Sequence, residues 1–427
     1  MILANMDEPK QMKRALKILL VNTRHFRGGG DSTYNFNLAE LLSGHGHETA
    51  FFAMQDDRNL PDPNADLFVS SIEFRELNQH KSLANGVTVL ARTVYSAEAR
   101  RKFAALLDRF SPDIIHLQNF LLHITASIVF EARQRNIPMV WTLHDCGLAC
   151  PNAHFLIDHT GQICEACRGG HFYQAALKRC KKDSLLASSM AAFVAYSNRW
   201  MSVFPKIDGF LAPSHFLKNK LVEHGFNQDQ IHHLPLFLPE KNFWKGEEDK
   251  GYLLFLGKLE AIKGIDVLIE AARIAPEVPL LIAGSVTEPL ASRLSELLPK
   301  NASYLGMKRG QELADLTHNA LAVVLPSICY ENQPFSILEA FAAGKPVIAS
   351  DLGGITELVK HGERGLLVKP GDPQALAEAM RWAVAHRPRM KEMGRNAGQY
   401  ARACHAPESH YQSLMRIYSQ VCPVAAG

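Results

Sequence analysis

A strand–helix alternation that runs twice constrains this chain more than anything else in it. ALKILLVN (15–22) is a continuous apolar run of strand length, followed by a Gly-rich turn and the helix-patterned STYNFNLAELLSGHG. ETAFFAM, DIIHLQ, PMVWTLHD and DGFLAPS repeat the apolar run, with ITASIVFEARQRN and HFLKNKLVEHG as helices among them. Strands that are apolar on both faces and alternate with helices predict a parallel sheet covered on both sides. The pattern restarts at GYLLFLGKL (251–259) and continues through IDVLIEAARIA, VPLLIAGS, RLSELLP, NASYLG, QELADLTHNA and LAVVLPS. The charged LPEKNFWKGEEDK (238–250), with its Pro and Gly, is the expected linker. The reading is an α/β chain of two Rossmann-like, doubly wound domains, an N-terminal one over 1–240 and a C-terminal one over 251–405. In the last segment, 406–427, SHYQSLMRIYSQV has apolar residues at helical spacing and is expected to cross back to the first domain.

Length and composition agree with this. A chain of 427 residues exceeds what one core holds. With 47% hydrophobic and 21% charged residues it is neither disordered nor membrane-embedded. No apolar run reaches the roughly 18 residues of a bilayer span. The first apolar run reads as a strand rather than a signal peptide, so a cytoplasmic location is expected. The net charge of +3, with the excess on the first half, is too small for a nucleic-acid binder.

The chemistry concentrates in Tyr330–Gly354, YENQPFSILEAFAAGKPVIASDLGG. Glu331 stands in a Pro-containing loop and Glu339 inside an apolar helix. An acid in ILEAFAAG is costly to bury unless something polar meets it. In LGKLEAIKGIDVLIEA, Lys258 follows a strand and Lys263 precedes a helix. A strand end, two cations and a helix start together make an anion site, in the crevice where such folds bind ligands. Two solvated surface lysines are the plain alternative. In the first half, FRGGGDSTYNFNLAELL places Gly29 and Gly30 before a helix, where backbone can approach a phosphate or an acceptor. Arg24, His25 and Arg27 make that loop cationic. His144 ends the strand PMVWTLHD, a position at which a histidine is more often structural than catalytic.

GKLEAIKG and ENQPFSILEAFAAGKPVIASDLGG together resemble the G-R/K-L-x3-K-G and E-x7-E elements of retaining glycosyltransferases of the GT-B fold, family 4 (glycosyl transferases group 1). The resemblance covers about the whole chain and is strongest from Gly251 to Gly371. It implies two domains facing a cleft. It also implies a nucleotide-sugar donor, UDP- or GDP-linked, with a sugar or lipid-linked acceptor. The sugar would move with retention of configuration, in cell-surface polysaccharide or glycolipid synthesis. By the same resemblance, Lys258 and Lys263 hold the donor diphosphate, Glu339 accepts from the ribose hydroxyls, and Glu331 lies on the transferred sugar. Asn332, Phe335 and Ser336 bring backbone amides to sugar and phosphate, and His144 contacts the sugar. Many relatives read EGFG where Asn332 and Gln333 stand here, which leaves the sugar open. No catalytic metal is implied, since lysines and amides hold the diphosphate.

Four cysteines, Cys150, Cys164, Cys167 and Cys180, are spaced C-x13-C-x2-C-x12-C within a polar insertion over 146–182. A subset of the family carries a similar insertion. The spacing fits a structural zinc site, with His154, His159 and His171 as substitute ligands, and it equally fits free or redox-labile thiols. The basic-then-apolar KRCKKDSLLASSMAAFVAYSNRW that follows reads as a core helix or as a surface for anionic lipid, giving peripheral contact with the inner membrane face. Two rival functions keep the fold: a sugar-nucleotide epimerase or phosphorylase, and a non-catalytic scaffold.

Overall fold

The computed structural model describes residues 14–71, 93–121, 123–243, 249–288 and 290–422. The first sheet contains β1 (Lys17–Val21), β2 (Glu48–Phe52), β3 (Ile114–Leu117), β4 (Met139–Thr142), β7 (Gly209–Ala212) and β8 (Ile231–His233). Between β4 and β7 lies the small antiparallel hairpin of β5 (Leu156–Ile157) and β6 (Gln162–Ile163). The second sheet contains β9 (Tyr252–Leu256), β10 (Leu280–Ala283), β11 (Ala302–Tyr304), β12 (Ala320–Leu325), β13 (Val347–Ser350) and β14 (Gly365–Val368). Every pairing in both six-stranded sheets is parallel. The α/β class and the two Rossmann-like sheets are therefore as the apolar runs predict. β3, β4, β7 and β12 are buried at every residue, which is why they carry no polar alternation.

Strand order places the site. The first sheet runs β2-β1-β3-β4-β7-β8 and the second β11-β10-β9-β12-β13-β14. Chain direction along each sheet reverses between β1 and β3, and between β9 and β12. The crevice beyond the strand ends at such a switch point is where open α/β sheets receive ligands. The loops after β1 and β9 carry Gly29–Gly30 and Lys258, and the loop after β12 carries Glu331. Two surface hollows of about 490 and 360 Å³ lie at the other end of the second sheet, lined by Lys250, Asn319 and Pro346 just before strands begin.

One core joins the two sheets. Leu38 and Leu42 of the helix Gly30–Gly44 pack with Ile337 and Phe341 of the second half and with Leu414 and Tyr418 of the last helix, Pro407–Val421. That helix brings hydroxyls and imidazoles into the first sheet. The Tyr418 hydroxyl lies 2.7 Å from His116 Nδ1, whose Nε2 is 2.7 Å from Thr142 Oγ1. His410 bridges Tyr34, at 3.0 Å, and the Pro235 carbonyl, at 2.8 Å. Burial lowers His116 to about 3 and both His405 and His410 to about 4, so all three are neutral. No described helix is long and apolar enough to cross a membrane.

Candidate functional site

Lys263 and Glu331 meet where the second sheet switches direction. Lys263 Nζ lies 2.5 Å from Glu331 Oε1, and the Ser327 hydroxyl donates to the same oxygen at 2.8 Å. Burial raises the Glu331 carboxyl, but the Lys263 ammonium and the Ser327 bond outweigh it and hold the carboxyl below its usual range. Burial likewise opposes the Lys263 charge, and Glu331 more than restores it. The pair is ionised and held ready on two loops. Gly264 makes the approach feasible: its φ is 73°, and a Cβ there would lie 1.8 Å from the Pro326 carbonyl oxygen. Behind Glu331, the Gly354 amide donates to the Glu331 carbonyl at 2.8 Å. A Cβ at Gly354 would come 1.9 Å from the Asn332 carbonyl oxygen. Lys258 is half-exposed and 3.9 Å from Glu260, whose charge also favours the Lys263 ammonium.

Glu339 lies on the helix Phe335–Ala342, and no side-chain partner meets it among the described residues. Burial alone raises its carboxyl to about 7. Pro334 caps that helix without a side-chain bond, which leaves first-turn amides at Phe335 and Ser336 outside the helical ladder. Across the cleft, a Cβ at Gly30 would come 3.0 Å from the Phe335 ring, so the glycine loop of the first domain faces this helix start. His144 stands past the end of β4. Its Nε2 is 2.7 Å from Gln118 Oε1, and its ring lies edge-on to Tyr34 at 5.5 Å. Burial lowers its pKa against the pull of Asp31 and Asp145, so the imidazole is neutral. In a neutral His144 the Nε2–H donates to Gln118 Oε1, which leaves Nδ1 as the ring's hydrogen-bond acceptor.

The packing bears on three expectations. The Asn332 side chain is spent between the domains: its amide donates to the Leu143 carbonyl at 2.8 Å, and its oxygen accepts from Ser214 at 2.6 Å. Beside it, Gln333 accepts from the Leu236 amide at 2.5 Å. The two residues that depart from the family pattern are thus clamps on the first domain. His25 turns into the core, 3.6 Å from Asp62 and packed among Phe36, Phe51 and Phe68, and burial lowers its pKa. Arg27 pairs with Glu40, and Arg24 with Asp31 at 3.8 Å, so the cationic loop is largely neutralised. Among the described residues, no three His, Cys, Asp or Glu side chains stand in a metal-ligating group. None of the cysteines of the insertion is in a disulfide. Burial first, and then one another's charge, raises Cys167 to about 12 and Cys180 to about 11.

Reading single motifs missed Gln118, Ser327 and Tyr34. None carries a local signal, because each matters only through a partner brought by another strand or loop. The Tyr330 hydroxyl donates to Glu165 at 3.0 Å, and Glu165 also pairs with Lys220 at 2.8 Å, tying the insertion to the lip of the cleft.

Residues 28–239 match Glycosyltransferase Family 4 and residues 239–400 match Glycosyl transferases group 1. The chain carries these two glycosyltransferase domains, one after the other. Its architecture is that of GT-B glycosyltransferase structures. Sucrose-phosphate synthase from Thermosynechococcus elongatus has a TM-score of 0.70 at 20% identity, over 96% of this chain and 100% of that one. HepE from Anabaena, solved with UDP and glucose, has a TM-score of 0.64 at 17% identity, over 95% and 100%. In sequence, the D-rhamnosyltransferase WbpZ of Pseudomonas aeruginosa is 34% identical over 158 residues, 36% of this chain and 41% of that protein. The D-inositol 3-phosphate glycosyltransferase of Corynebacterium urealyticum is 33% identical over 183 residues, 38% and 42%. The matched region thus spans about two fifths of the length of these two relatives.

Proposed function

We propose that this protein transfers a sugar from a nucleotide-sugar donor to an acceptor hydroxyl with retention of configuration, in the assembly of a cell-surface polysaccharide or glycolipid. The observation that carries the reading is the ionised Lys263–Glu331 pair at the switch point of the second sheet, with Gly30 of the first domain against Phe335 at the start of the helix that follows Glu331. Names among the relatives, including a rhamnosyltransferase and a structure solved with UDP-glucose, support a nucleoside diphosphate sugar as donor. On this reading residues 1–240 serve the acceptor and 251–405 the donor.

The bond from the anomeric carbon to the diphosphate breaks, and a bond to the acceptor oxygen forms. The acceptor's proton leaves with the departing phosphate or to solvent. Lys263 and Lys258 stabilise the charge that grows on the diphosphate, joined by the amides of Phe335 and Ser336. Glu339 accepts from the ribose hydroxyls, which supplies the polar partner its position lacks. Glu331 and neutral His144 orient the sugar, and Gly29 with Gly30 leaves room for donor or acceptor.

The test is nucleotide release from a panel of UDP-, GDP- and ADP-sugars, with and without acceptor alcohols, beside Lys263→Ala. Release from one donor, lost in the variant, supports the transferase and names the donor. Silence across the panel, with no donor binding by calorimetry, refutes it in favour of a scaffold. Zinc at Cys150, Cys164, Cys167 and Cys180 rests on their spacing in the sequence alone. One zinc per chain in purified protein, lost with Cys164→Ser and Cys167→Ser, would establish it, and a metal-free preparation would refute it.

A further inference from the structure

The apolar surface of this chain is gathered in one place. Among the described residues, six of the ten exposed large hydrophobic side chains lie between Tyr173 and Trp200: Tyr173, Leu177, Leu185, Leu186, Phe193 and Trp200. The helix Leu185–Trp200 begins at Ser184, whose side chain accepts from the Ala187 amide, and the short helix Tyr173–Leu177 packs against it. Leu186, Phe193 and Trp200 follow one another at seven-residue steps, so they form a single stripe along the helix. Leu177 at 72% exposure, Leu186 at 74% and Trp200 at 72% are far more open than core packing produces. Isolated exposed apolar residues need no explanation, but a contiguous set of this size marks a contact surface.

The charges around this stripe select the partner. Lys178, Arg179, Lys182 and Arg199 are exposed at its ends, and Lys181 is partly so. The one acid between Tyr173 and Trp200 is Asp183, which lies 3.5 Å from Arg179. Lysines beside leucines and a tryptophan suit an interface that is anionic at its surface and apolar a few ångströms below. A protein groove would pair with the apolar stripe but has no need of a border in which basic residues outnumber acids five to one.

We propose that the face formed by Leu177, Leu186, Phe193 and Trp200, bordered by Lys178, Arg179 and Lys182, docks this protein onto the surface of an anionic lipid bilayer. The face spans the end of the cysteine-rich insertion and the helix that follows it, and Glu165 and Tyr330 join that insertion to the lip of the cleft. Docking there holds the cleft beside the bilayer, where a lipid-linked acceptor would present its head group. Docking itself stands apart from glycosyl transfer, because vesicle binding is read with neither donor nor acceptor present.

The experiment is flotation of the full chain with vesicles of phosphatidylcholine and phosphatidylglycerol, against vesicles of phosphatidylcholine alone. Binding is expected to the anionic vesicles and to weaken as salt is raised. Lys178→Gln with Lys182→Gln should weaken it about fivefold per charge removed. Leu186→Ser with Trp200→Ser should weaken it roughly tenfold or more, with the melting temperature unchanged because these side chains are exposed. No binding to the anionic vesicles overturns the proposal, as does binding that neither double variant alters. A dimer in sedimentation that Leu186→Ser with Trp200→Ser abolishes, without loss of vesicle binding, assigns the face to a second copy of the chain and overturns it too.

Discussion

At the scale of single residues the site is a set of charges prepared before any ligand arrives. Lys263 and Glu331 neutralise one another, so replacing either leaves a half-buried charge without its partner. Lys263→Ala is expected to lower kcat with the competent donor by roughly 100- to 1000-fold, the scale for loss of one preorganised electrostatic group. Loss at an exposed cation such as Lys300 should change it little, and parallel assays check the contrast. Glu339 makes a different prediction. Its carboxyl titrates at about 7, raised by burial, and hydroxyl donors would favour its ionised form. Nucleotide binding near pH 7 should therefore release a fraction of a proton, read by calorimetry in buffers of different ionisation enthalpy. Glu339→Gln should abolish that release. These acids and lysines were legible in the sequence because each sits at a fixed offset from a strand end or within a helix. The use made of Asn332 was not, because its partners Leu143 and Ser214 lie more than a hundred residues away.

At the scale of elements, the loop from Ser327 to the helix Phe335–Ala342 is held from both sides. Gly354 packs beneath it and donates to the Glu331 carbonyl, while Asn332 and Gln333 clamp it to the first domain. Gly354→Ala puts a methyl where the Asn332 carbonyl oxygen stands, so a loss of about 3 kcal/mol is expected, measured by denaturant unfolding. Asn332→Ala leaves the Leu143 carbonyl and the Ser214 hydroxyl without this partner. It should raise KM for donor more than it lowers kcat, if the clamp positions the loop rather than touching the reacting atoms. The Gly353–Gly354 pair is visible in the sequence as a motif, but what a side chain at Gly354 would strike is a property of the packed loops alone.

At the scale of the whole molecule, the last helix closes over the first sheet through buried neutral histidines. His116, His405 and His410 each have a folded pKa below the ordinary 6.5, so the unfolded chain binds more protons than the folded one between about pH 6.5 and pH 4. Their contribution is fully present above pH 6.5 and is lost as pH falls through that window, on the order of 3 kcal/mol for each histidine. The melting temperature should fall steeply from pH 6.5 to pH 4, and His410→Gln should flatten the profile, as calorimetric scans across pH would read. The sequence by itself determined the strand–helix alternation. With it came the two parallel sheets and the placing of Lys258, Lys263 and Glu331 at strand ends, because apolar periodicity is a local property of the chain. Only the tertiary structure decided that His25 turns inward, that Asn332 spans two domains, and that Leu186, Phe193 and Trp200 stay in solvent. An apolar or polar side chain reads the same in sequence whether it is buried or bare. What separates the two cases is which distant residues arrive to cover it.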